Sequence, residues 1–583
     1  MFNPGIWWIG YRMKRSGCPN SVLRRLHGTR RGGAIHIILG LDFPRRSELH
    51  RVVVPACVAG KSALPVPDAT VPPLGQKKMA SETTSNSSPA KDESAQAASP
   101  KKLGLFAMTL LVVSAMFGGG VFNIPQNMAQ SAALGAILVA WLISGLGIFF
   151  LARSFQVLAD IRPELTSGIY MYARAGFGKL AGFLIAWGYW LSVAFGNVGY
   201  AVLLMDALNY FFPPYFAGGN TWQATLASSA IIWGLCFLVM RGVKGASVLN
   251  NIGTVAKFVP VTLFLLVVLY FSFSRDLFTS DFWGNVSDQA RQDKPLGGVI
   301  DQIKGTMLVT LWMYIGIESA VVMSDRADAA TVSRATLLGY FLVTVLFVLV
   351  SILPFGVMSQ GELAAMAPPS TAAILASLVG AWGEVMINIG VIIALLSSWL
   401  VWTLLVAQLP WACARDGTFP KIFAKTNKAG IASFSLVIST AIMQAAVVLV
   451  YFSNDAWNLM LSITGVVILP AYIGSAAFLW KVIWSGDYPA DAKIGKISAL
   501  SISLIATGFG LWLVYAAGVQ FMLAGAVIYA IGLPVFYWAR RSSAGSERAF
   551  TGVEALTAIA LFLLAAAAVW MLITGQLPQV YSS

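Results

Sequence analysis

Two stretches put residues where a helix in hydrocarbon tolerates them least. Ser114-Ala115-Met116-Phe117-Gly118-Gly119-Gly120-Val121-Phe122 sets three consecutive glycines in the middle of one apolar run. Leu311-Trp312-Met313-Tyr314-Ile315-Gly316-Ile317-Glu318-Ser319 sets a glycine and a carboxylate in another. Each glycine weakens a helix by about 1 kcal/mol relative to alanine, and a carboxylate at that depth costs about 2.5 kcal/mol or more. A close helix crossing accounts for a single glycine. Three in a row suit an unwound stretch whose free amides and carbonyls face a cavity. The chemistry on offer is ion recognition by backbone, with amides at the N-terminal end of one half-helix for an anion and carbonyls at the C-terminal end of another for a cation. No strand pattern precedes the glycines, which separates them from a nucleotide-binding fingerprint.

Glu318 has two readings: it balances a bound charge or carries protons, or it hydrogen-bonds unwound backbone and holds the break in shape. Lys257 also has two. An ammonium about 16 Å along a helix that starts at Ala246 is a partnered or deprotonated group within the membrane; from a later start it snorkels to water. Asp206 and Asp301 lie towards span ends, near water, and carry no role. All three histidines (His27, His36, His50) lie before residue 79, and Cys18, Cys57, Cys236 and Cys413 lack metal spacing. No metal site, cofactor site or catalytic triad assembles from such a set.

The elements that position these residues are membrane helices. Of 583 residues 57% are apolar and 11% charged, where a soluble chain carries about a quarter charged. The apolar residues come in blocks of about 20, the length that crosses about 30 Å of hydrocarbon. Thirteen spans are expected, at approximately 103–130, 134–158, 180–212, 223–242, 246–272, 300–324, 335–358, 384–412, 431–452, 456–480, 498–517, 519–538 and 552–574. Charge asymmetry supports that count. Every even-numbered span is followed by a basic segment, for example Arg241 and Lys244, or Arg415, Lys421, Lys425 and Lys428. The opposite loops hold only Arg275, Arg291 and Lys294 among four aspartates, with Lys304 just inside the next span. This bias puts the N-terminus in the cytoplasm and the uncharged tail from Thr574 outside.

The net charge of +14 comes mostly from residues 1–78, with thirteen Lys/Arg against three acids. That segment lacks helical period, repeat and aromatic interleaving, so it reads as a disordered upstream extension rather than a nucleic-acid arm. Residues 79–102 are Ser/Ala/Thr/Lys-rich and read as a disordered cytoplasmic N-terminus. No basic segment leads into an apolar run with a cleavage site, so no signal peptide is expected. Residues 103–480 then form a ten-helix core and 481–583 hold accessory helices. Two breaks, each in the first span of a five-span half, are the mark of an inverted-repeat transporter.

Gly118-Gly119-Gly120-Val121-Phe122-Asn123-Ile124-Pro125-Gln126-Asn127-Met128-Ala129 resembles the first-span motif of the amino acid/polyamine/organocation superfamily. It is most similar to the basic amino-acid antiporter branch, whose members exchange arginine for ornithine or for agmatine. Gly168-Ile169-Tyr170-Met171-Tyr172-Ala173-Arg174, Thr310-Leu311-Trp312, Trp402-Thr403-Leu404-Leu405, Asp416-Gly417-Thr418-Phe419-Pro420 and Asn427-Lys428-Ala429-Gly430 extend the resemblance over roughly residues 103–480. It implies an all-α polytopic membrane protein of LeuT-type five-plus-five inverted-repeat fold, with broken first and sixth helices and about three further C-terminal helices. The implied substrate carboxylate meets the amides of Gly118, Gly119 and Gly120; Gly119 stands where many relatives have serine, so a hydroxyl is missing. The ammonium meets carbonyls around Trp312–Gly316. The side-chain cation meets Trp312, with Trp402 as a second wall and outer gate; such a contact is worth about 0.5–2 kcal/mol. Asn197, Ser192 and Met313 match pocket positions. Tyr189 matches an inner gate, though tyrosine also simply packs. Lys257 resembles the lysine that replaces sodium in proton-coupled members, and the counterpart of Glu318 is linked to coupling and pH response.

These implications lead to arginine/ornithine antiport by alternating access, with lysine a further candidate substrate. A second reading is proton-coupled lysine or arginine uptake, and a third, of another class, is a membrane amino-acid receptor. The expected setting is the bacterial inner membrane, multi-pass, with a periplasmic C-terminus. The expected partners are basic amino acids, the lipid bilayer and a second copy in a homodimer, with no nucleic acid and no cofactor.

Overall fold

The computed structural model describes residues 104–165, 169–242, 246–271, 273–285, 296–318, 329–543 and 550–576; the expectations for residues 1–103 lie outside them. All regular structure among the described residues is helical. The first span is broken: α1 (Leu105–Met116), a 3-10 turn over Gly119–Asn123 and α2 (Ile124–Ala129), with a bend of 51° between the two parts. Then follow α3 (Leu134–Ile161), the short α4 (Ile169–Phe177), α5 (Lys179–Asn209), α6 (Trp222–Met240), α7 (Ala246–Phe271), the short α8 (Arg275–Ser280) and α9 (Val299–Tyr314). The second half holds α10 (Ala329–Ile352), two short helices α11 (Gln360–Ala364) and α12 (Ser370–Val379), α13 (Ala381–Arg415), α14 (Ser433–Tyr451) and α15 (Ala456–Trp484). The chain closes with α16 (Lys496–Ala517), α17 (Val519–Ser543) and α18 (Gly552–Ile573).

Ten of the described helices are long and apolar enough to cross a membrane, and the bent pair makes an eleventh. The fifth expected span is represented by α7, 26 residues long, and the sixth by α9. α9 ends at Tyr314, where the break begins. Helix starts are set by side chains that accept from orphan amides: Thr221 accepts from Ala224, Asp455 from Asn458 and Thr551 from Glu554. Ser359 and Glu362 form a capping box at α11, whose amide and hydroxyl bonds hold the Glu362 carboxyl below its ordinary range.

α1 packs against α10 and α9 against α3, while α5, α13 and α15 pack around them. The outer faces are apolar and exposed, as with Leu142 and Leu146 on α3 or Phe341, Leu342 and Val345 on α10, which is what lipid contact requires. α16 lies against α3 and α15, and α18 touches mainly α17. The segment between the seventh and eighth spans is ordered by α11 and α12 and lies over the second part of the first span, α2 and the turn before it. Ser370 donates its amide to Asn123 Oδ1 (3.0 Å), Thr371 its hydroxyl to the Phe122 carbonyl (2.9 Å) and Gln360 its amide to the Ala129 carbonyl.

Candidate functional site

The two breaks touch. Gly316 has φ +110°, and a Cβ there would lie 2.7 Å from the Ala115 carbonyl oxygen and 3.0 Å from its carbon. No side chain fits against that backbone. Glycine is required at Gly316 both by its left-handed φ and by this approach of one broken helix to the other. Gly316→Ala is therefore expected to cost about 1–3 kcal/mol of strain before the clash is counted. The measurement is a thermal melt of the purified protein, and an unshifted transition would contradict the contact.

Between the breaks lies a cavity with about 470 Å³ of empty space, part of it open to solvent. Its walls include Gly118 and Gly120 from the first span, Ser192 and Asn197 from α5, Trp312 and Met313 from α9, and Trp402 from α13. Seven of the residues singled out in the sequence thus meet in one place. None of the lining residues carries a formal charge.

Trp312 is 8% exposed, and its indole lies in a bed of glycines. A Cβ at Gly120 would come within 2.9 Å of its Nε1, and one at Gly199 within 3.2 Å of its Cη2. Trp457 and Tyr200 stand edge-on to it, with ring centroids 5.7 and 6.5 Å away. The polar part of the wall is unsatisfied: Asn197 Nδ2 and Oδ1 and Thr464 Oγ1 are buried without a protein partner. Ser192 donates its hydroxyl to the Thr464 carbonyl (3.0 Å). Buried amides and hydroxyls are nearly always paired with protein or ordered water, so these groups are open to water or a polar guest.

Glu318 lies off the cavity and is 2% exposed. Its Oε1 accepts from the Tyr189 hydroxyl (2.9 Å), and its Oε2 accepts from the Gly316 amide (3.1 Å) and the Tyr472 hydroxyl (3.2 Å). One carboxylate therefore joins the break to α5 and α15. Gly316 and Tyr189 belong to this cluster rather than to the cavity wall.

Gly119 also differs from expectation. It is not among the wall residues, and a Cβ there would sit 2.0 Å from Leu395 Cδ2 on α13. A side chain at Gly119 points into helix packing and away from a bound molecule. Lys257 is 5% exposed on α7 and outside the cavity. Asp206 is a correction: it is not near water but only 7% exposed, whereas Asp301 is exposed and paired with Lys304 at 2.8 Å.

Sequence reading missed Gly196, Tyr200 and Thr464 in the wall and Tyr472 on Glu318. Gly196 and Tyr200 follow Ser192 at helical spacings of four, which points along one face. Nothing local marks Thr464 or Tyr472, which arrive from the tenth span. No cluster of His, Cys, Asp and Glu among the described residues has metal-binding geometry.

A bundle of apolar helices enclosing a small cavity between a broken first helix and the end of α9 defines a polytopic membrane transporter. The sequence profile described as amino acid permease matches residues 103–575, and the chain belongs to that family, which is one of transporters rather than enzymes. Similar proteins include arginine/agmatine antiporters of Chlamydia pneumoniae (48% identical over 480 residues, 82% of this chain and 98% of the relative) and Chlamydia felis (47% over 479 residues, 82% and 98%). A Clostridium perfringens chain described no further than as an amino-acid transporter is 53% identical over 467 residues, 80% of this chain and 97% of its own.

Proposed function

We propose that the protein exchanges cationic amino acids across the bilayer by alternating access, with arginine as one substrate. The observation that carries this reading is a cavity walled by Trp312, Trp402 and Tyr200 with no charged lining residue. An aromatic face holds a guanidinium without the Coulombic trap that a carboxylate would set, and an exchanger has to release what it binds. In this reading the amides at Gly118 and Gly120 receive the substrate carboxylate, and carbonyls at the end of α9 receive the ammonium. Asn197 and Thr464 complete the polar wall, beside Ser192 and Met313.

The relatives' names support arginine, and they make agmatine the counter-substrate to test beside ornithine and lysine. Because a side chain at Gly119 would face Leu395 and not the cavity, the first-span break offers the carboxylate backbone donors and no hydroxyl. That arrangement suits a site accepting both an amino acid and its decarboxylated amine. The proposal includes the bacterial inner membrane, a cytoplasmic N-terminus, a periplasmic C-terminus and a homodimer, with 103–480 as the transport core.

The test is uptake of labelled arginine into proteoliposomes loaded with agmatine, ornithine, lysine or nothing. Internal agmatine or ornithine is expected to raise the initial rate about tenfold or more over empty vesicles. Equal uptake into all four overturns exchange. The buried Lys257 on α7 favours the second reading, proton-coupled uptake. That reading instead requires uptake into empty vesicles to rise with an acid-outside gradient.

A further inference from the structure

A second cleft, of about 400 Å³, lies between the ends of α6, α13 and α14, on the side of the bundle that carries the basic loops. It shares no residue with the central cavity. Val239, Leu404, Ala407 and Ile431 make its wall apolar, while Gln408 and Trp411 give it a polar, aromatic component. No lining residue is acidic.

Basic residues flank it on three elements. Arg415 lies one helical turn beyond Trp411, with its guanidinium over that ring at 4.9 Å. Arg241 is two residues beyond Val239, with its guanidinium over Phe237 at 4.1 Å. Lys428 stands in the loop that closes the third side. That loop is tied to α6, because Asn427 donates its side-chain amide to the Met240 carbonyl (2.8 Å), and Ala429 is the neighbour a Cβ at Gly242 would meet, at 3.9 Å. The nearest acid in sequence, Asp416, is engaged elsewhere: it accepts from the Tyr170 hydroxyl (2.5 Å) and pairs with Arg174 at 3.1 Å.

An apolar slot between membrane-crossing helices, bordered by cations at their basic ends, is the shape and charge of an anionic phospholipid. We propose that this cleft binds one anionic phospholipid of the leaflet on the basic side, with an acyl chain along Leu404 and Ala407 and its phosphate among Arg241, Arg415 and Lys428. Cations stacked on rings present a fixed donor face to a phosphate, and Trp411 sits well at the level of the headgroup. A soluble anion would gain nothing from the apolar wall, and a neutral lipid would gain nothing from the cations. The site is independent of the exchange reading.

The test uses the full chain in liposomes of phosphatidylethanolamine with a trace of photoactivatable phosphatidylglycerol or photoactivatable phosphatidylcholine, and maps the labelled peptides. Phosphatidylglycerol is expected to label the segments containing Leu404–Trp411 and Gly430–Ala432 in preference to phosphatidylcholine. Each cation removed among Arg241→Gln, Arg415→Gln and Lys428→Gln should lower that label about fivefold. The charge-preserving set Arg241→Lys, Arg415→Lys and Lys428→Arg should retain most of it, which separates lost charge from lost folding. Ala407→Trp should abolish the label by filling the slot. Equal labelling by both lipids, or a label indifferent to the triple glutamine variant, overturns the proposal. Displacement of the label by inorganic phosphate also overturns it, in favour of a soluble-anion site.

Discussion

Trp312→Ala is expected to lower arginine affinity about thirtyfold or more. A desolvated cation over tryptophan is worth about 2 kcal/mol, and a factor of ten corresponds to about 1.4 kcal/mol. The truncation also removes the ring that fills the space beside Gly120 and Gly199 and supports Trp457 and Tyr200, so the loss should exceed the cation–π part. Equilibrium binding of labelled arginine to purified protein reads it directly. Trp312→Phe keeps an aromatic face and should recover most of the affinity. A neutral isostere of arginine should distinguish far less between wild type and Trp312→Ala than arginine does. Unchanged arginine affinity in the alanine variant would remove Trp312 from the site.

Glu318→Ala is expected to be the most damaging change away from the cavity. It strips the acceptor from two buried tyrosine hydroxyls and from the Gly316 amide in one step. Leaving a buried donor unpaired costs about 1–3 kcal/mol, so a stability loss of roughly 3 kcal/mol or more is expected, together with loss of exchange. Glu318→Gln separates the two roles that the sequence leaves open. A glutamine oxygen still accepts, and its amide can donate to a tyrosine hydroxyl that rotates. If Glu318 holds the break in shape, the glutamine variant keeps most of the stability and exchanges with an unaltered pH profile. If Glu318 carries the proton, that variant folds but loses the pH dependence. A melt and a pH series on the same two variants decide between them.

The parts of the site legible in advance are those where a residue is costly in its local setting. Glycines at 118–120, and a glycine and glutamate at 316–318, contradict the apolar helices that contain them, so they mark breaks without any knowledge of packing. Trp312, Met313, Asn197, Ser192 and Trp402 came through resemblance and meet at one cavity. Gly119 reads identically to its neighbours in the chain. It faces Leu395 only because α13 crosses there.

The sequence alone determined the class: apolar blocks of membrane length, basic residues on alternating sides and two interrupted helices. These follow from the cost of charge and unpaired backbone in hydrocarbon, which acts on each segment separately. The tertiary structure decided which surfaces meet. It set Gly316 against Ala115, tied Glu318 to Tyr189 and Tyr472, brought Thr464 beside Ser192 and left Asn197 without a protein partner. Those outcomes depend on contacts between helices distant in the chain, and a hydropathy pattern constrains only which faces avoid water. Within one buried core every apolar neighbour satisfies that pattern equally, and only shape complementarity selects among them.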